Sequence, residues 1–128
     1  FTGDAFFHFP SLGSIVIGKN VWIGSNCTVE KSQIDQTIIE DHVKIDDLVH
    51  IAHNATIKKF SQITVGSIIL GRAKIGEYCL IAPNSVVENG CEIGDYCIVG
   101  TSSLVRTNFP KNSTVVGSPA KFLRKTKS

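Results

Sequence analysis

The sequence predicts an all-β fold, a parallel solenoid of short strands wound into triangular coils. Three observations carry this. An aliphatic residue recurs every six positions, from Ile39 through Ile45, Ile51, Ile57, Ile63, Ile69, Ile75, Ile81, Val87, Ile93 and Val99 to Val105, making twelve hexads without a slip. Four positions after each lies a small or modest residue, Val43, Val49, Ala55, Ser61, Ser67, Ala73, Cys79, Ser85, Cys91, Cys97 and Ser103, until Phe109 ends the series. If three hexads close one coil, residues eighteen apart stack about 4.8 Å apart, as in any strand ladder. Neither a 3.6-residue helical period nor simple alternation produces a strict six. One hexad cannot bury its apolar face alone, so successive coils stack and share one continuous core.

Along the chain, residues 1–16 read as a lead-in segment. The block "IGKNVWIGSNCTVEKSQI" obeys the hexad rule from Ile17, and an irregular stretch near "VEKSQIDQT" joins it to the main series. Residues 17–117 are expected to form the solenoid domain, and residues 118–128 a basic tail or short helix. The β-branched first positions suit the inner wall, and the small fifth positions suit corners where backbone approaches backbone. All four cysteines, Cys27, Cys79, Cys91 and Cys97, fall at the small position and show no CxxC spacing. They read as free thiols of a reducing compartment, which suggests the cytoplasm.

A net charge of +2 with 19% charged residues implies no general polyanion-binding surface, so nucleic acid is not an expected partner. The basic residues that do cluster lie in "AKFLRKTKS" and are equally well read as a solvated tail. No apolar run of about eighteen residues exists, so no membrane span is expected. "FTGDAFFHFP" lacks the basic start of a signal peptide. The chain has no methionine, even at position 1, so the natural protein is expected to begin upstream.

The outward sixth positions sort into three columns. One reads His50, Ile68, Val86, Leu104; the second Lys44, Gln62, Leu80, Ile98; the third Thr56, Lys74, Glu92. Two faces are therefore partly apolar and one is polar. Exposed apolar faces of this kind mark interfaces, and a closed ring of three copies, a homotrimer, would cover them.

Two of the four histidines crowd into "VHIAHNATI". His53 is the third residue of its hexad and belongs to a corner, where a histidine is commonly just solvated. Three facts argue for more. His50 lies three positions earlier on an interface column, Asn54 follows at the corner where it can orient a neighbour, and eighteen residues on from His53 stands Gly71, with no side chain. A histidine beneath an open amide is the minimum needed for acyl transfer. The imidazole takes the proton of an attacking amine or hydroxyl, and the Gly71 N–H donates to the oxyanion of a thioester carbonyl. His53 and Gly71 are thus the catalytic candidates, and His50 and Asn54 the substrate-side candidates.

At this point the sequence resembles a known family. Its hexads are similar to the left-handed parallel β-helix of hexapeptide-repeat acyltransferases. "FPSLGSIVIGKNVWIGSNCTVE" followed by "TIIEDHVKIDDLVHIAHN" resembles the central region of the UDP-3-O-acyl-glucosamine N-acyltransferases of lipid A synthesis, and "HIAH" resembles the paired histidines of UDP-N-acetylglucosamine O-acyltransferases. The resemblance implies His53 as general base, the Gly71 amide facing the acyl carbonyl, His50 in a supporting substrate-side position, and a trimer with sites between subunits. There are departures: Cys91 stands where some of these enzymes have a second histidine, and Asn54 where the O-acyltransferases have an aspartate. The ending "VVGSPAKFLRK" is similar to the "GNPAK" ending of acetyl-CoA-dependent acetyltransferases. That likeness implies coenzyme A beside Gly71, Ala120, Lys121 and Arg124.

The expected function is transfer of an acyl group, with acetyl from acetyl-CoA as the leading donor, to an amino or hydroxyl group of a nucleotide-linked sugar in surface polysaccharide or lipopolysaccharide synthesis. No permanent cofactor or metal is called for. Within the enzymes, the alternative is a longer acyl chain delivered by acyl carrier protein. A zinc hydratase on the same solenoid needs three converging histidines, and His8 and His42 fall outside the regular pattern. A non-catalytic β-helix scaffold is the third reading.

Overall fold

The computed structural model describes residues 13–32 and 34–126; His8, at the excluded N-terminal end, lies outside them. Almost every hexad contributes one two-residue strand, formed by its sixth position and the next aliphatic residue, followed by a two-residue turn. The strands assemble into three sheets of five, seven and five strands, parallel except for the last strand of the seven, and these are the three walls of the solenoid. Register follows the eighteen-residue count through the main series: His50 faces Ile68, Lys44 faces Gln62, and Thr56 faces Lys74. The three columns read from the sequence are therefore the three outer faces.

The inward aliphatic residues from Ile39 to Val105 are all buried, most with no exposed surface at all. The fifth-position residues are equally buried, and their hydroxyls knit the corners together. Ser61 donates to the Gly76 carbonyl at 2.6 Å and accepts from the Cys79 amide at 2.9 Å. Among the described residues no buried side-chain nitrogen or oxygen lacks a partner, which removes the desolvation cost such a hydroxyl would otherwise carry. The four cysteines are free, three buried and Cys27 half-buried. A hydrogen bond to Cys97 and then burial push the Cys79 thiol up, and burial pushes Cys91 up, so both are poor thiolate nucleophiles.

The lower end starts earlier than expected and contains the irregular stretch that the sequence indicated. The first strand spans Ser14–Ile17, so the solenoid begins three residues before the anticipated start, and Ile17 is 49% exposed. Among the described residues its coil has a neighbour on one side only. Irregular residues between Val29 and Gln36 lengthen this coil: Thr28 faces His50, and Trp22 faces Lys44, a step of 22 residues in place of 18.

The upper end is also different. Residues 118–125 form neither a free tail nor a helix. Strand Ser113–Gly117 stacks on the Ile98–Val99 strand, and strand Ala120–Lys125 folds back antiparallel on it. Gly117 supplies the φ of +111° that this reversal needs, a backbone region costly for any residue with a Cβ. The hairpin gives the last parallel strand a hydrogen-bonding partner, which satisfies an otherwise open edge.

In the hexads that begin at Ile39 through Val99, the fourth position has a positive φ, between 55° and 74°. Asn and Gly suit this left-handed region, yet one corner carries His42, Phe60, Tyr78 and Tyr96. Their rings stack with centroids 4.6, 4.9 and 5.1 Å apart. Ring stacking, about 0.5–1.5 kcal/mol per pair, offsets the backbone penalty. Tyr78→Ala, which loses two stacks and keeps the strain, is expected to destabilise by about 1–3 kcal/mol. Tyr78→Asn is expected to cost less, and urea unfolding of the two variants decides it.

Candidate active site

His53 sits at the corner where the chain leaves the His50 wall for the Thr56 wall. Its backbone is held from both sides. The amide donates to Glu30 Oε1 at 3.2 Å, and the carbonyl accepts from the Arg72 amide at 3.0 Å. The imidazole lies directly against Gly71: a Cβ placed there would be 2.7 Å from His53 Cε1 and 2.9 Å from Nε2. Glycine at 71 is thus what leaves room for the ring. Asn89 continues the column, its Nδ2 3.3 Å from the same Cβ position.

The third-position amide of a hexad points out of the corner and takes no part in the strand ladders. At several other corners a carboxylate satisfies it, whereas the Val65 and Asn89 amides, like that of Gly71, have no partner among the described residues. The amides of Lys19, Ser25 and Glu77 donate at 2.8 Å to Asp41, Asp47 and Asp95 of the coil above. Above Gly71 the residue is Asn89, and among the described residues the Gly71 amide has no hydrogen-bond partner. The corner therefore places one unpaired donor, on the buried Gly71, beside one exposed imidazole, with no fixed carboxylate competing for the donor. Such a donor is suited to a developing oxyanion.

His50 is half-buried on the strand three residues earlier, with Nε2 3.6 Å from Glu30 Oε1; the two side chains are 36% and 43% exposed. Glu30 joins both histidines, and it was invisible to an eighteen-residue count because it sits beneath the lengthened coil. The amide of the residue one coil up reveals it: Glu30 lies 23 positions before His53. Arg72, the other residue that counting by hexads did not single out, shares the Gly71 corner with φ +60° and an exposed side chain.

The structure gives Asn54 a task other than orienting the imidazole. Its amide donates to Thr37 Oγ1 at 2.8 Å, and its Nδ2 to the Ile34 carbonyl at 2.9 Å. Asn54 thus anchors the corner to the irregular segment, and its φ of 60° suits the residue type. Ala120, Lys121 and Arg124 are not brought to His53 within one chain. They lie on the hairpin strand that extends the Trp22 wall, with Ala120 buried and both basic side chains exposed. His42 belongs to the stacked ring corner, and among the described residues no group of three His, Cys, Asp or Glu side chains is placed to share a metal. A groove of about 430 Å³ on the polar face is lined by residues that include Lys58, Lys74, Glu92 and Phe109, and neither His53 nor Gly71 borders it.

Comparison with known proteins agrees with this architecture. Residues 72–107 match the family described as bacterial transferase hexapeptide (six repeats). Over 80 residues the chain is 39% identical to UDP-3-O-acylglucosamine N-acyltransferase 2 of Legionella pneumophila, an alignment covering 61% of this chain and 23% of that protein. The chain spans about a fifth of the length of the curated relatives it matches. Among solved structures, LpxA of Acinetobacter baumannii superposes with a TM-score of 0.88 at 22% identity, covering 91% of this chain and 46% of that one. A mutant perosamine N-acetyltransferase of Caulobacter crescentus, in complex with CoA and GDP-perosamine, gives a TM-score of 0.72 at 21% identity, covering 88% and 54%. The six-residue period, the three-walled coil and these likenesses give the chain the hexapeptide-repeat β-helix fold seen in LpxA.

Proposed function

We propose that the chain carries the catalytic coils of an acyltransferase that moves an acyl group from a thioester to an amino or hydroxyl group of a nucleotide-linked sugar. The contact between the His53 imidazole and Gly71, whose amide is open, carries this reading. His53 takes the proton of the attacking group as the new C–N or C–O bond forms. The Gly71 N–H donates to the carbonyl oxygen as it becomes an oxyanion. The tetrahedral centre then collapses, the C–S bond breaks, and the proton passes from His53 to the departing thiolate. A thioester is already activated, so no covalent enzyme intermediate is needed.

Acetyl-CoA is the proposed donor, supported by the tail likeness and by the CoA named in the perosamine N-acetyltransferase complex. The second donor is a longer acyl group on acyl carrier protein, favoured by the curated relatives, which are named UDP-3-O-acylglucosamine N-acyltransferases. A homotrimer is proposed from the outer faces: Ile68 is 37% exposed, and Leu80, Val86, Ile98 and Leu104 are partly exposed along the same two walls. In that assembly Lys121 and Arg124 serve a neighbouring copy's thioester. Among the described residues no helix is long and apolar enough to cross a membrane, and the free thiols and CoA donor suit a cytoplasmic reaction.

The test is thiol release from acetyl-CoA against a panel of nucleotide amino sugars, repeated with acyl carrier protein thioesters. Release only from the latter selects the longer acyl donor, and no release from either overturns the proposal. Gly71→Ala is expected to lower turnover at least 10²-fold, because its methyl displaces the imidazole. Sedimentation equilibrium is expected to give three times the mass of one chain.

A further inference from the structure

Glu30 stands in the middle of this corner with spare capacity. Its Oε1 accepts from the His53 amide at 3.2 Å and faces His50 Nε2 at 3.6 Å. An ionised carboxylate has about four acceptor positions on two oxygens, and among the described residues Oε2 has no partner. The side chain as a whole is 43% exposed, which puts it within reach of a ligand. Among the described residues no lysine or arginine forms an ion pair with it, although Arg106 and Glu88 show that such pairs do form on this surface.

A carboxylate next to a base and an oxyanion donor is of little use to a hydroxyl acceptor, which carries no charge. It repels the electron density that the oxyanion gathers. An amine acceptor is different, because it arrives at neutral pH as an ammonium with three donors. We infer that Glu30 is a specificity-determining residue: its free oxygen binds the ammonium of an amino-sugar acceptor and so selects nitrogen over oxygen as the acylated atom. This rests on the acyltransferase reading and narrows its acceptor class.

The step balances as follows. The bound ammonium loses one proton to solvent, giving the free amine. Its lone pair forms the C–N bond to the thioester carbonyl, His53 takes the second proton, and the thiolate leaves with that proton as the C–S bond breaks. Because a carboxylate holds the ammonium in the ground state, it strengthens acceptor binding without lowering the barrier that follows. The attacking nitrogen regains positive charge as its lone pair forms the C–N bond, so the carboxylate holds it equally in the transition state. Loss of such a uniform interaction shows as a higher KM at unchanged kcat.

The experiment compares Glu30→Gln with the parent chain, using UDP-glucosamine and UDP-glucose as acceptor probes that differ in one amine. Glutamine keeps an oxygen for the His53 amide and removes the charge. Acceptor binding is measured by calorimetry and turnover by thiol release. Expected are an acceptor Kd and KM about 10-fold higher for UDP-glucosamine, no change for UDP-glucose, an unchanged KM for the thioester, and recovery with Glu30→Asp. Equal weakening of both probes would reduce Glu30 to a corner support, and no weakening of either would remove it from the site; both overturn the inference. If the parent chain binds UDP-glucosamine more tightly than UDP-glucose and Glu30→Gln abolishes the difference, the ammonium site stands even where thiol release fails. A failure of release alone overturns the acyltransferase reading.

Discussion

His53→Ala is expected to lower turnover by about 10²–10⁴-fold, the usual contribution of a positioned general base, with a urea unfolding midpoint within error of the parent. The two halves of this expectation have one origin. His53 is exposed, and its firm interactions are through the backbone, which alanine keeps: the amide to Glu30 and the carbonyl from Arg72. Exposed substitutions of this kind stay within about 0.5 kcal/mol. Of the three described atoms nearest the Gly71 Cβ position, His53 Nε2 is the one that can accept a proton, since the Asn89 atom there is an amide nitrogen. Residual activity is expected from the Gly71 donor and binding alone. Unchanged turnover with a folded protein would remove His53 from the chemistry.

The largest effect on stability is expected from the inner ladder. Ile63 has no exposed surface and lies between Ile45 and Ile81 in the seven-stranded sheet. Ile63→Ala is expected to cost about 2–5 kcal/mol through lost transfer energy and the cavity left behind. Each coil rests only on the coils above and below, so a cavity in the middle cannot be filled by elements from elsewhere. Relative to the roughly 5–15 kcal/mol that holds a domain together, this is a large fraction. Neighbouring Gln62 is exposed on the same strand, and Gln62→Ala is expected to fall within about 0.5 kcal/mol. Urea unfolding of the pair separates burial from strand position. Equal losses would mean that the inward ladder is not the source of stability.

Much of this molecule was legible before any coordinates because a parallel stack converts sequence period into register. Once three hexads close a coil, the partner of every residue is eighteen away, and both inner ladder and outer columns follow. His53 and Gly71 were paired by that arithmetic alone, and the structure brings them into contact. The same arithmetic failed below Gln36, where extra residues change the step to 22 and Glu30 moves under the histidines. It also has no term for the chain reversal at Gly117, so the last strand was read as a tail or helix.

What the sequence by itself determined is the solenoid: its inward Ile and Val residues, its small corners, and the stacking of His53 beneath Gly71. These follow from a period that repeats locally and needs no distant information. Only the tertiary structure decided which corner amides stay open, where Glu30 points, and that Asn54 is bound to Ile34 and Thr37. Those outcomes depend on side chains meeting across coils of unequal length, where no fixed spacing connects one residue to its partner.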